Sequence, residues 1–151
     1  MNIEFLENLL NQISVSGSEE NGQRILREYM EQYADEIRTD EIGDVICVLN
    51  PESPVRIMLS AHADEIGLVV TRITEEGRIQ AIERGGIMTH NYTGQKVQIC
   101  TKKGIVYGVV ECSRELLKKE TVKIADLLID IGAVSKEDAL QHVSLGDTVV
   151  L

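Results

Sequence analysis

Six short segments with the pattern of strands, separated by turns, recur through the chain after Gly67. They run over Leu68 to Ile73, Arg78 to Glu83, Lys96 to Cys100, Ile105 to Val110, Leu127 to Ile131 and Thr148 to Leu151. The turns between them include Glu75-Glu76-Gly77, Gly85-Gly86 and Lys102-Lys103-Gly104. Short strands at regular spacing, joined by glycine-containing turns, are typical of a small barrel or sandwich. Because aromatic residues are 3% of a chain that is 43% hydrophobic, the core must be aliphatic.

The part of the chain before Gly67 has a different pattern, in which helices precede strands. Ile3 to Ile13 carries apolar residues at the spacing of one helix face. Ser16 and Glu19 form a capping-box pattern that predicts the start of a second helix. Strands are predicted on both sides of a turn at Gly43. The expected fold class is therefore α/β (α+β), in one domain or two small ones.

The candidate chemistry lies where these two parts meet. Residues 55–61 are an apolar run after Pro54, which predicts a buried strand. His62 and Asp64 follow it two residues apart, so in extended backbone their side chains leave the same face. An imidazole at a strand end can bind a metal while a nearby carboxylate orients it. The residues alone leave open a purely structural pairing of His62 with a neighbouring carboxylate.

The segment from Ser60 to Val70, which contains the His-x-Asp motif, is one of several that match a known pattern together. The others are Val15 to Glu20, Asp40 to Ile46, Gly94 to Val97, Gly108 to Val110, Leu128 to Ala133 with Ser135-Lys136-Glu137, and Gly146 to Val150. Taken together, these segments resemble the N-terminal part of the glutamyl aminopeptidase and endoglucanase-M-like family of tetrahedral aminopeptidases.

This resemblance implies a fold, a site and partners. Family members are cytosolic aminopeptidases that use two zinc (or cobalt) ions and assemble into hollow particles, with a barrel-like dimerisation domain inserted into an α/β catalytic domain. The implied domains are a partial catalytic domain at residues 1–66 and a dimerisation domain at residues 67–151. His62 is implied as a metal ligand and Asp64 as a catalytic residue that orients its imidazole. The implied partners are a peptide substrate and further copies of the chain, as a homodimer or higher homo-oligomer.

Ligand counting limits what this chain can do alone. A catalytic zinc needs about three protein ligands, and the resemblance assigns one histidine and one aspartate here. His90 lies in a polar stretch that predicts a loop, and His142 is predicted on a solvated helix face. We therefore expect a truncated or partial metalloaminopeptidase, inactive in isolation and without a tightly bound metal. The alternatives are a non-catalytic oligomerisation module, or one half of a split enzyme completed by a complementary C-terminal half.

Composition argues against several classes of partner. The formal net charge of −10 disfavours nucleic acid and acidic membrane surfaces as partners.

The cysteines are widely spaced and odd in number, which predicts free thiols at Cys47, Cys100 and Cys112. No apolar run approaches the ~18 residues of a membrane span. These features predict a cytoplasmic protein.

Overall fold

The computed structural model describes residues 2–151, which form two compact units. The first unit extends to Glu65 and the second is Ile66–Leu151. The first unit carries two helices and a β-hairpin, and the second is built on a closed barrel. None of the helices in the described part of the chain has the length and hydrophobicity needed to cross a bilayer.

Two amphipathic helices open the first unit, as the apolar spacing predicts. Helix α1 is Ile3–Leu10 and helix α2 is Glu20–Met30. Asn2 caps α1, because its Oδ1 accepts a hydrogen bond of 3.1 Å from the backbone N–H of Phe5. Phe5 on α1 stacks on Tyr29 of α2 with ring centroids 3.8 Å apart. This aromatic contact joins the two helices.

The predicted capping box at the start of α2 is wrong, although the helix itself is present. Glu19 occupies the N-cap position and makes no side-chain capping bond there. Its carboxylate instead accepts a hydrogen bond of 2.6 Å from the Gly17 N–H. The Ser16 hydroxyl donates to Asp64, far along the chain. A long-range partner has therefore replaced the local one that the spacing suggested.

The predicted strands around Gly43 form a hairpin. Strand β1 is Glu36–Thr39 and strand β2 is Val45–Val48, and they pair antiparallel as a two-stranded sheet. Asp40 shapes the turn, since its Oδ1 accepts hydrogen bonds from the backbone N–H groups of Ile42 and Asp44. Gly43 supplies the positive φ, +100°, that closes the turn.

The prediction of a buried strand at residues 55–61 is wrong. The segment forms no strand, and Ile57, Met58 and Leu59 are 83%, 88% and 93% exposed. An apolar run becomes a buried strand only when neighbouring strands and a covering layer are present. The sheet of this unit consists of β1 and β2, neither of which pairs with this run. The apolar sequence therefore lacks its packing partner among the described residues.

The second unit is a six-stranded antiparallel barrel, as the spacing of short strands and glycine turns favours. Its strands are β3 Gly67–Ile73, β4 Ile79–Arg84, β5 Lys96–Thr101, β6 Gly104–Val110, β7 Ile129–Asp130 and β8 Thr148–Val150. Around the barrel the order is β3-β4-β7-β6-β5-β8, and β8 pairs with both β5 and β3 to close it. Closure removes the unpaired strand edges that an open sheet would expose.

The barrel encloses an aliphatic core, as the scarcity of aromatic residues requires. Alternate residues of each strand point inward. The inward side chains include Leu68, Val70, Ile79, Val97, Ile99, Val110, Ile129 and Val149, each at most 1% exposed. The core extends under helix α3, Arg114–Leu117, and helix α4, Lys136–His142, through Leu116 and Ala139. Ser135 caps α4 by accepting a hydrogen bond of 3.2 Å from the Asp138 N–H.

Candidate metal-binding site

His62 presents one ring nitrogen to Asp64 and leaves the other open. Its Nδ1 lies 2.9 Å from Asp64 Oδ1 and 3.1 Å from the Asp64 carbonyl oxygen. Both neighbours accept hydrogen bonds, so in the neutral ring Nδ1 carries the proton and Nε2 keeps its lone pair. The side chain is 86% exposed, and Nε2 has no hydrogen-bond partner among residues 2–151. A histidine held in this way has a nitrogen free to bind a metal.

Asp64 uses its two carboxylate oxygens for two different partners. Oδ1 faces the His62 ring, while Oδ2 accepts a hydrogen bond from the Ser16 hydroxyl. The hydrogen bonds from Ser16 and then His62 hold the pKa of Asp64 below its ordinary value of 3.8. The carboxylate is therefore ionised at neutral pH and suited to accept a hydrogen bond from the Nδ1–H of His62.

Glu65 binds the loop that precedes α2. Its backbone N–H donates to the Ser14 carbonyl at 2.8 Å, and its Oε1 accepts from the Ser14 N–H at 3.1 Å. Next to them Val15 forms a parallel β-bridge with Glu65. These contacts bond the Glu65 backbone and one oxygen of its carboxylate to the backbone of the loop.

The residues present fit one ligand position of a zinc site and no more. Within the part of the chain that the structure describes, no group of three or more His, Cys, Asp and Glu side chains could hold a metal ion. His62 supplies one nitrogen donor, and Asp64 supplies the carboxylate that orients it. A catalytic zinc takes three protein ligands and a water. The other ligands would have to come from outside these residues.

Among residues 2–151, no hydrogen bond or ion pair links another histidine or a cysteine to His62 or Asp64. His90 is exposed in a short 3-10 helix, Thr89–Tyr92, where a loop was predicted. His142 is exposed at the end of α4, as predicted, with Nε2 3.9 Å from Asp138 Oδ1. Both belong to the second unit, whereas His62 belongs to the first. The three cysteines carry free thiols, as predicted.

Sequence reasoning did not assign Ser16 to this site. It lies 48 residues before Asp64, and its only local signal was the spacing to Glu19, which favoured a helix cap. The neighbouring Ser14 was also missed, although its backbone binds Glu65 at two points. No short-range pattern identifies contacts of this kind.

Comparison with known proteins places the chain in one family. Residues 43–151 match the sequence profile of the M42 glutamyl aminopeptidases. The chain is 31% identical over 143 residues to the lysyl aminopeptidase of Pyrococcus furiosus, covering 90% of this chain and 41% of that protein. The chain spans about 40% of the length of the curated relatives it matches.

Solved structures share the fold. The TET aminopeptidase of the archaeon Thaumarchaeota archaeon SCGC AB-539-E09 superposes with a TM-score of 0.88 at 34% identity, over 98% of this chain and 44% of that one. The TET1 peptidase of Pyrococcus horikoshii superposes with a TM-score of 0.86 at 37% identity, over 99% of this chain and 46% of that one. The latter is described as assembling into a tetrahedron or a large octahedral shell.

Proposed function

This chain belongs to the M42 glutamyl aminopeptidase family, and on that premise we propose that it is one part of a metalloaminopeptidase, an enzyme that removes residues from the N-terminus of peptides. The observation that carries the proposal is the His62–Asp64 pair, in which Nδ1 is held by the carboxylate and Nε2 faces solvent. This is the arrangement expected of a metal-binding histidine with its orienting carboxylate.

In the proposed enzyme His62 binds one of two zinc (or cobalt) ions through Nε2. When bound, such ions polarise the scissile carbonyl and lower the pKa of a bound water. The contribution of this chain is to fix the imidazole. Asp64 accepts a hydrogen bond from Nδ1–H, which selects the tautomer that leaves the Nε2 lone pair free for the metal.

The isolated chain is proposed to be inactive. The described residues supply one ligand position, and the chain spans about 40% of the length of its curated relatives. The remaining ligands and the general base would come from a complementary segment, joined to this one or supplied by a second polypeptide. Three free thiols are in keeping with a reducing, cytoplasmic location.

A second proposed role is homo-oligomeric assembly through the barrel, residues 67–151. Strand β6 carries an exposed apolar stripe, formed by Ile105, Tyr107 and Val109 at 48%, 63% and 47% exposure. An apolar stripe on a barrel wall is a feature of interaction surfaces. The P. horikoshii peptidase can assemble into a tetrahedron or a large octahedral shell. This supports a second copy of the chain as the partner that covers the stripe. If this were the chain's whole role, it would be a non-catalytic oligomerisation module.

A chimera tests the catalytic proposal. The chain would replace the segment of the P. furiosus lysyl aminopeptidase with which it aligns, and hydrolysis of aminoacyl anilides would be measured together with bound metal. We expect the chimera to be active, and His62→Ala to lose both turnover and metal. His142→Ala, which removes an exposed histidine outside the motif, is the matched control and should change neither. Full activity in the His62→Ala chimera would refute the assignment.

A further inference from the structure

We propose that Ser16 is a positioning residue for the metal-binding histidine and acts through Asp64. The hydrogen bonds between the loop 14–16 and Glu65, here called the clamp, place the Ser16 hydroxyl. The proposal rests on the proposed function, because it assigns a role to Ser16 at the same site. It concerns a residue in a different part of the sequence from the His-x-Asp motif.

The two oxygens of the Asp64 carboxylate bind different partners. The Ser16 hydroxyl donates to Oδ2, and His62 Nδ1 lies 2.9 Å from Oδ1. A carboxylate bonded at one oxygen alone can rotate about its terminal torsion, which is broad and roughly two-fold. With Ser16 bonded to Oδ2, the plane of the carboxylate is fixed and Oδ1 is directed at the ring.

The loop that carries Ser16 is anchored by burial and by hydrogen bonds to Glu65. Ser14 and Val15 are 4% and 0% exposed. Ser14 exchanges two hydrogen bonds with Glu65, of 2.8 and 3.1 Å, and the Ser16 N–H donates to the Glu65 carbonyl at 3.4 Å. Glu65 directly follows Asp64, so the clamp sets the distance between Ser16 and the carboxylate.

His62 itself is exposed. Its side chain is 86% exposed, whereas that of Asp64 is 34% exposed. Packing therefore cannot hold the ring, and its hydrogen bonds to Asp64 must do so. The orientation of the His62 ring therefore depends on the orientation of the Asp64 carboxylate. Because Ser16 fixes that carboxylate, the ring depends on Ser16 as well.

The consequence is a tautomer that Ser16 helps to select. With Oδ1 aimed at Nδ1, the proton stays on Nδ1 and the Nε2 lone pair is available to a metal. Without the serine hydroxyl, the carboxylate turns more freely and the ring populates the Nε2–H form, which cannot bind a metal through Nε2. This effect exists in the chain without any metal.

Nitrogen NMR of the histidine-labelled chain tests this directly. Spectra would be recorded at about pH 8.5, and His62→Ala would assign the signals. The wild-type chain should give a protonated Nδ1 and an unprotonated Nε2. Ser16→Ala should lower the ratio of Nδ1–H to Nε2–H tautomer at least about threefold, the factor that corresponds to the net strength of a hydrogen bond.

Two variants serve as controls. Ser16→Thr keeps a hydroxyl and should retain the wild-type tautomer. Ser18→Ala removes a nearby hydroxyl that makes no hydrogen bond in the described part of the chain and should also behave as wild type. Amide shifts of Val15 and Glu65 would verify that the clamp persists.

The proposal would be overturned if the wild-type chain has the Nε2–H tautomer, or if Ser16→Ala leaves the tautomer ratio unchanged with the clamp intact. A Ser16→Thr chain with an intact clamp but the tautomer ratio of Ser16→Ala would also overturn it. None of these results depends on the activity of the chimera. The proposed role of Ser16 and the proposed catalytic function can therefore be refuted independently.

Discussion

Gly108 on β6 lies against Ile129 on β7 so closely that a β-carbon at Gly108 would be 2.8 Å from Ile129 Cγ2. The same β-carbon would be 3.1 Å from the Asp130 carbonyl oxygen. Backbone as well as side chain therefore blocks this position. The short strand β7 can pair with β6 because this residue has no side chain.

Replacing Gly108 should accordingly destabilise the barrel. We expect Gly108→Ala to lower the free energy of unfolding by roughly 1–3 kcal/mol, the usual cost of overpacking. Urea denaturation of the whole chain would measure it. Gly86→Ala is the control, because a β-carbon there meets nothing within 4 Å, and it should change stability by no more than about 1 kcal/mol. Equal effects of the two variants would contradict the packing argument.

The Lys119–Asp126 ion pair should make stability depend on pH. Lys119 Nζ lies 2.6 Å from Asp126 Oδ1 and the Lys123 N–H donates to Oδ2, and these bonds hold the pKa of Asp126 below 3.8. A carboxyl group whose pKa is lowered by folding stabilises the fold above its unfolded pKa, and this contribution is lost as the pH falls. Asp126→Asn should thus be less stable than wild type at neutral pH, with a difference that shrinks below pH 3.8.

Urea titrations at several pH values would follow this difference. Glu120→Gln, which removes a nearby carboxylate that forms no ion pair among residues 2–151, provides the charge-matched comparison and should show no such convergence. A constant deficit for Asp126→Asn at all pH values would indicate that lost packing, rather than ionisation, is responsible.

The apolar stripe on β6 should mediate self-association. Tyr107 is 63% exposed between Ile105 and Val109, and a lysine there would place a charge in an apolar contact. We expect sedimentation at micromolar concentration to give a dimer or larger species for the wild type and a smaller species for Tyr107→Lys. Leu145→Lys, at a residue of similar exposure in a turn, should sediment as wild type. A monomeric wild-type chain would contradict the proposed assembly.

Zinc should bind the isolated chain weakly. One histidine and one carboxylate lack the ligand number that gives tight zinc sites, and no larger cluster exists in the described residues. Calorimetric titration should show no saturable sub-micromolar site. A stoichiometric tight site that disappears in His62→Ala would mean that further ligands are recruited, for example from a second copy.

The barrel could be predicted from sequence because its signals are local. Strand β5, for example, alternates inward Val97 and Ile99 with outward polar residues, and Gly104 marks the following turn. Strand β7 was predicted over Leu127 to Ile131 but pairs only at Ile129–Asp130. The apolar character of Leu127, Leu128 and Ile131 predicts that they are buried. It does not predict that they belong to the strand, because a strand requires hydrogen-bonded neighbours along its whole length.

The errors have the same physical origin. The apolar run at residues 55–61 indicated burial, but burial requires a partner surface that the run itself does not encode. The spacing of Ser16 to Glu19 predicts a helix cap, whereas in the structure the Ser16 hydroxyl donates a hydrogen bond to Asp64.

The His62–Asp64 contact, by contrast, could be predicted from local spacing, because two alternate residues of one extended segment share a face.

The central claim is that this chain supplies one ligand position of a larger metal centre. The most direct test is to measure the aminopeptidase activity of the isolated chain. Aminoacyl-anilide hydrolysis would be measured with zinc or cobalt in excess, for the wild type and for His62→Ala. The account predicts no metal-dependent turnover by either chain. Metal-dependent turnover by the wild type that disappears in His62→Ala would contradict it.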